Sequence, residues 1–253
     1  MPSFRHQCEF RFYEELGDFL PPDRRKRSFT HAFDGTPAVK DRIEALGVPH
    51  TEVDLILVDG VSVTFAHRLQ GGERVAVYPV FERFELADAC RLRPRPLREP
   101  RFVLDVHLGR LAAYLRLLGF DCLYRNDFGD EELLAISRTE HRILLSRDTS
   151  LLKRAALTHG AFVYATDPRR QLREVCDRFQ LDARIAPFTR CARCNGSVEP
   201  LPGHQLADAV PQTIARQQRG SGFSRCCTCG QIYWPGSHLV RLRQRLAEVG
   251  VAI

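Results

Sequence analysis

Four cysteines near the C-terminus stand in two C-x-x-C pairs, Cys191-Ala192-Arg193-Cys194 and Cys226-Cys227-Thr228-Cys229. Two such knuckles supply the four thiolates of a closed tetrahedral zinc site. Using Cys227 in place of Cys226 spoils the two-residue spacing, so it is excluded as a ligand. The metal ligands expected from spacing are therefore Cys191, Cys194, Cys226 and Cys229 around a structural Zn²⁺, and a tail built on them folds only with the metal.

A second set of reactive groups lies upstream. Asp105, Asp127, Asp148 and Asp167 each stand at or just beyond the end of a short apolar run: Phe102-Val103-Leu104, Phe120 to Tyr124, Ile143-Leu144-Leu145 and Ala161 to Ala165. Carboxylates that converge repel one another unless a cation neutralises them, and hard divalent ions such as Mg²⁺ or Mn²⁺ are the natural counter-charge. An aspartate after a strand also caps the next helix, and Asp130, Glu131 and Glu132 suit the positive end of a helix dipole. Asp105 and Asp148, which follow their runs most directly, fit the metal reading best.

Between these runs the pattern turns helical. Leu108, Leu111, Ala112, Leu115 and Leu118 form one stripe, with Gly119 as its stop. Further helices are expected over 131–137, 150–158 and 169–179. Alternating strands and helices imply a parallel sheet with right-handed crossovers, whose ligands bind beyond the carboxyl ends of the strands. Aspartates distant in sequence can meet there.

The first third of the chain reads differently. Strand-like residues 9–13, 53–58 and 74–79 surround a helix over 36–46, with turns at Gly60 and Gly71-Gly72. This is a small α+β unit. The run Val53 to Gly60 followed by Leu69 to Pro79 resembles the β-grasp pattern of ubiquitin-like sulfur carriers. Here Gly71-Gly72 is internal rather than a free tail, so a docking role is expected in place of carrier chemistry. The final segment, 237–249, has the pattern of an amphipathic helix.

The net charge is +6 and comes almost wholly from arginine. Residues 90–101 hold Arg91, Arg93, Arg95, Arg98 and Arg101 among three prolines, which makes an extended cationic tether. It either grips a nucleic-acid backbone or is simply solvated. No run approaches the ~20 apolar residues of a membrane span. With no secretion signal and with five of the nine cysteines between 191 and 229, a cytoplasmic protein with reduced thiols is expected.

Taken together, Phe102-Val103-Leu104-Asp105, Leu108-Gly109-Arg110-Leu111-Ala112, Leu115 to Asp121, Ile143 to Asp148, and the two cysteine motifs with Gln231-Ile232-Tyr233-Trp234-Pro235-Gly236-Ser237-His238 resemble the Mut-seven C-terminal RNase family. The resemblance implies an α/β fold: a PIN-like nuclease at 102–185, then a zinc ribbon and C-terminal helix at 186–253. In front come a β-grasp ubiquitin-like domain at 1–88 and the linker at 89–101. It implies metal-dependent hydrolysis of RNA phosphodiester bonds. Asp105 and Asp148 would be the central Mg²⁺ or Mn²⁺ ligands, and Asp130 or Glu131 the further acid. Arg147, Arg110 and Arg116 are candidate RNA-phosphate contacts; the last two lie off one ridge, so at most one faces the site. RNA is the expected substrate, with a protein partner for the ubiquitin-like domain. The alternative is a non-catalytic nucleic-acid-binding adaptor in which the acids are caps.

Overall fold

The computed structural model describes residues 6–79, 100–202 and 222–252. Its elements in chain order are β1 (His6–Phe12), β2 (Phe29–Phe33), α1 (Val39–Ala45), β3 (Val53–Val58), β4 (Val61–Ser62), β5 (Arg74–Pro79), β6 (Phe102–Leu104), α2 (Gly109–Leu117), β7 (Cys122–Leu123), α3 (Asp130–Thr139), β8 (Ile143–Ser146), α4 (Thr149–Leu152), β9 (Gly160–Phe162), α5 (Pro168–Arg178), β10 (Val198–Pro200), β11 (Ser224–Cys226), β12 (Ile232–Tyr233) and α6 (Ser237–Ala247). The chain divides into two units, Met1–Arg98 with Asp148–Phe162, and Glu99–Arg147 with Val163–Ile253. Linker residues Arg91 to Arg98 and the stretch Gly203 to Gly220 lie outside the described residues.

In the first unit five strands form a sheet in the order β2-β1-β5-β3-β4, with β1 parallel to β5 and the other neighbours antiparallel. Alternation in β1 explains its two faces: Cys8, Phe10 and Phe12 are buried, while Gln7, Glu9 and Arg11 are exposed. Val39, Ile43 and Leu46 from α1 and the residue after it complete that core. This is the β-grasp arrangement. Two strands escape a sequence reading: β2 buries only Phe33 fully, and β4 has two residues. Gly71 and Gly72 take φ values of 101° and 92° and turn the chain into β5, with the Glu73 carboxylate accepting the Gly71 amide at 2.7 Å. The pair is a turn within the fold.

Residues 148–162, which the sequence reading places in the nuclease part, cluster with this unit. The helix expected over 150–158 ends at Leu152, and the strand expected over 161–165 is shortened to Gly160–Phe162. The reason is visible in the carbonyls. Leu152 O accepts the Thr51 hydroxyl (3.5 Å) and Leu157 O accepts the His50 Nε2–H (2.9 Å), so neither continues a helical ladder. The buried Glu52 carboxylate accepts the Phe162 amide at 2.7 Å.

In the second unit β6 pairs in parallel with both β7 and β8. Every residue of β6 and β8 is buried, which is why these strands read as continuous apolar runs rather than alternating ones. Helix α2 buries Leu111, Ala112 and Leu115 and packs against α5. Strands β10, β11 and β12 form a separate antiparallel sheet. Helix α6 lies at the end, with Glu248 accepting from Arg169 (3.0 Å) and Gly250 O from Arg173 (2.9 Å).

Helix α2 stops as expected at Gly119, whose φ is 95°. Its last carbonyls are satisfied from outside: Leu118 O accepts the Ala186 amide (3.0 Å) and Leu117 O the Phe188 amide (2.9 Å). A Cβ at residue 119 would stand 2.3 Å from Ala186 O. Gly119→Ala is therefore expected to lower stability by about 3 kcal/mol, read as a lower denaturant midpoint; an unchanged midpoint would show that the 186–189 segment is free to withdraw.

Candidate functional site

The ligand atoms of Cys191, Cys194, Cys226 and Cys229 all lie within 4.8 Å of one another, and among the described residues no other set of three or more Cys, His, Asp or Glu does so. Cys191 and Cys229 sulfurs are 3.6 Å apart, and Cys194 and Cys226 sulfurs 3.4 Å. A tetrahedron with metal–sulfur bonds of about 2.3 Å has edges of about 3.8 Å, so the donor set fits zinc. The two knuckles share one turn geometry. Asn195 and Gly230 have φ of 70° and 72°, and their amides donate to Cys191 O (2.9 Å) and Cys226 O (3.1 Å). That left-handed position selects Asn and Gly. The amides of Thr228 and Cys229 approach Cys226 Sγ at 3.4 and 3.5 Å. Cys227 is exposed and outside the cluster, as the spacing argument required.

A second layer fixes the sulfurs. The Tyr233 hydroxyl stands 3.1 Å from Cys191 Sγ and accepts the Ala192 amide at 3.1 Å. Burial raises the Cys191 thiol, but this hydroxyl and the amides of Cys194 and Arg193 outweigh it and bring the pKa down to about 6. Cys194 is pushed up to about 12 by burial and by the sulfurs beside it. Cys194 therefore ionises only with a cation at hand, whose binding expels its proton. Trp234 packs with Phe223 and Leu201 in the ribbon core.

The ribbon is tied to the parallel sheet by residues that no spacing rule reveals. Arg116 on α2 is 5% exposed. Its guanidinium donates to Cys122 O on β7 (2.8 Å) and to Ala192 O (3.3 Å) and Arg193 O (3.0 Å) inside the first knuckle. Asn195 accepts the Cys122 amide (3.0 Å) and donates to Asp121 (2.8 Å), which also receives Arg142 (2.7 Å). Burial alone would raise the Asp121 pKa, but hydrogen bonds from Arg142 and Asn195 hold it below the usual carboxylate range.

The acids are placed as follows. Asp105 ends β6 and is 8% exposed. One carboxylate oxygen accepts the Val106 amide (2.6 Å) and the other the Ser146 hydroxyl at the end of β8 (2.6 Å). Asp105 has no cationic partner among the described residues. Asp130 and Glu131 form the first turn of α3 and are exposed. Asp127 is ion-paired with Arg125 (2.9 Å). Asp167 caps α5 through the amides of Arg169 and Arg170. Asp148 belongs to the first unit, where it caps α4; hydrogen bonds from Ser150 hold its pKa below the usual range against some burial. His107 is exposed.

The arginines correct the sequence reading. Arg116 is buried on backbone carbonyls and is unavailable to RNA. Arg147 directs Nη1 at the carbonyls of Val163, Tyr164 and Ala165 (2.6, 2.6 and 2.7 Å), so part of its guanidinium is committed to holding the chain. Arg110 alone of the three is exposed without a partner among the described residues. The signal that could have found Arg116 is its place one turn after buried Ala112, on the inward face of α2.

Two predictions follow from the wiring. Purified protein is expected to hold one zinc per chain, retained in Cys227→Ser and lost in Cys194→Ser, with Arg116→Met and Tyr233→Phe weakening zinc about tenfold in chelator competition; equal retention in all variants would contradict it. Because the Asp121 pKa is depressed on folding, its contribution is present above the unfolded value of about 4 and is lost as pH falls below it. Asp121→Asn should cost about 3 kcal/mol at neutral pH and flatten the acid limb of the stability–pH curve.

Comparison with known proteins agrees with this architecture. The model of the Mut7-C RNAse domain matches residues 100–246, more than half of the chain, and that of the Mut7-C ubiquitin domain matches residues 5–85. Among solved structures, the crystal structure of H. volcanii small archaeal modifier protein 1 is similar over 30% of this chain and 99% of that chain, at 18% identity and a TM-score of 0.25. No curated protein matches the chain. A β-grasp unit followed along the chain by parallel strands and a four-cysteine cluster, with the RNAse-domain model matching more than half of the residues, places the chain in the Mut7-C RNAse domain family.

Proposed function

We propose that this protein is a metal-dependent ribonuclease of the PIN-like type, hydrolysing RNA phosphodiester bonds at an acidic site centred on Asp105. The observation that carries the reading is the state of that carboxylate: nearly buried at the carboxyl end of a parallel strand, oriented by an amide and a hydroxyl, and facing no cation among the described residues. A buried charge without a counter-charge is costly, and a divalent ion is the partner that removes the cost. Its chemistry also suits an oxygen donor set and Mg²⁺ or Mn²⁺.

Such an ion, when bound, acidifies water and takes up the charge that develops on phosphorus oxygens. The chain's own residues do the rest. Ser146 and the Val106 amide fix the Asp105 oxygens. Asp148 is proposed as the second ligand, kept ionised by Ser150, and Asp130 or Glu131 as the further acid. Arg110 offers an exposed guanidinium to the RNA backbone. Zinc in the Cys191, Cys194, Cys226 and Cys229 cluster serves the fold through Arg116 and Asn195. No helix among the described residues is long and apolar enough to cross a membrane, and a cytoplasmic enzyme is proposed.

One observation favours the second reading, a nucleic-acid-binding adaptor: Asp105, Asp148 and Asp167 each accept the backbone amides of the helical turn that follows. The two readings part on activity. With single-stranded RNA and Mn²⁺, Asp105→Asn and Asp148→Asn are each expected to lower kcat/KM by at least about a hundredfold while zinc content stays at one per chain. Cleavage undiminished in either variant removes that residue from the site, and RNA binding without turnover in the parent selects the adaptor.

A further inference from the structure

The outer face of the β-grasp sheet carries a groove of about 450 Å³ whose composition the nuclease reading leaves unused. The buried face of that sheet packs on α1; the outer face presents Arg11 from β1, Tyr13 just beyond it, and Arg74 and Tyr78 from β5. The Tyr13 and Tyr78 rings are stacked, with centroids 4.3 Å apart and planes 11° from parallel. The Arg11 guanidinium lies 5.0 Å above the Tyr13 ring. A cation, an aromatic pair and a second cation therefore line one surface.

The charges in the lining balance, Arg11 and Arg74 against Glu9 and Asp59, and the positive excess comes from the exposed Lys26 and Arg27 beside the groove. Two acids line it, but each is engaged: Glu9 lies 3.7 Å from Arg74, and Asp59 accepts the Arg74 amide at 2.9 Å. The run Arg24-Arg25-Lys26-Arg27 leads directly into Ser28, which is part of the lining. Lys26 and Arg27 are exposed and have no partner among the described residues. A protein partner would look for an apolar centre depleted of charge. Here the aliphatic lining is limited to Leu57, Val75 and Ala76, set among arginines and acids. Aromatic rings flanked by guanidiniums are instead what an unpaired nucleobase and its phosphates require.

The geometry points to this face of the ubiquitin-like domain as a second RNA-binding site, in which unpaired bases stack on the Tyr13–Tyr78 pair and Arg11, Arg74, Lys26 and Arg27 meet the phosphates. It takes single-stranded RNA without strong sequence preference, since every base has a π-face. The choice of RNA over another polyanion rests on the ribonuclease reading. Binding here is independent of the acidic site.

The test is equilibrium binding of a labelled single-stranded oligouridylate to the zinc-loaded full chain in buffer without Mg²⁺ or Mn²⁺, followed by fluorescence anisotropy. The Tyr13→Ala/Tyr78→Ala double variant is expected to weaken binding about tenfold or more, and Tyr13→Phe/Tyr78→Phe to rescue it, because stacking survives loss of the hydroxyls. Lys26→Ala/Arg27→Ala should make binding less dependent on salt by roughly one to two in the log–log slope. Photocrosslinking of 4-thiouridine RNA to the unmodified chain, mapped by peptide mass, should label the segment of Tyr13 or Tyr78, and it needs no variant to fold. Unchanged affinity in a folded Ala pair, or crosslinks confined to residues outside 6–79, overturns the proposal. So does tight binding of polyglutamate that depends on the arginines while RNA is indifferent to the tyrosines, which would assign the face to an acidic protein partner. Since none of these readouts involves cleavage, loss of activity in Asp105→Asn bears on the nuclease site alone.

Discussion

The guanidinium of Arg116 has no carboxylate beside it among the described residues; backbone carbonyls take its hydrogen bonds, two of them inside a zinc knuckle and one on a strand of the parallel sheet. A buried cation of this kind tolerates only a surrounding that supplies acceptors in fixed places. Helix α2, strand β7 and the first knuckle are therefore held in one arrangement. Asn195 repeats the constraint from the other side: its backbone completes the knuckle turn, while its side chain pairs with the Cys122 amide and Asp121. Metal ligation and sheet geometry are coupled through these two residues.

This coupling gives the four-cysteine cluster a role beyond stapling a short tail. The helix that Arg116 belongs to begins just after Asp105, and the strand that it touches neighbours the one that Asp105 ends. Were the knuckle to open, Arg116 would lose the Ala192 and Arg193 carbonyls that accept from it. The cost falls on the same elements that aim the Asp105 carboxylate. The Asp105 carboxylate and the cysteine cluster are chemically unrelated, yet the fold ties together the elements that carry them.

The β-grasp unit shows the same economy in another form. One face of its sheet is spent on a core with α1, and the Gly-Gly pair that a carrier would use as a reactive tail is locked into a turn by Glu73. What remains is the outer face, with its paired tyrosines and arginines.

The sequence by itself determined the elements whose cause is local. Continuous apolar runs became the buried parallel strands β6 and β8, the stripe from Leu108 to Leu118 became α2, strand-like runs gave β1, β3 and β5, and the two C-x-x-C pairs met with Cys227 left outside. Each follows from periodicity or from a spacing that a knuckle requires. Only the tertiary structure decided the fate of isolated polar groups. Arg116 and Arg147, read as phosphate contacts, proved to be fastened to carbonyls, and the helix over 150–158 broke early because His50 and Thr51 claim its carbonyls. Whether a guanidinium faces solvent or a carbonyl, and whether a carbonyl feeds a helix or a distant side chain, depends on which segments become neighbours, and that neighbourhood is set by folding of the whole chain rather than by any window of it.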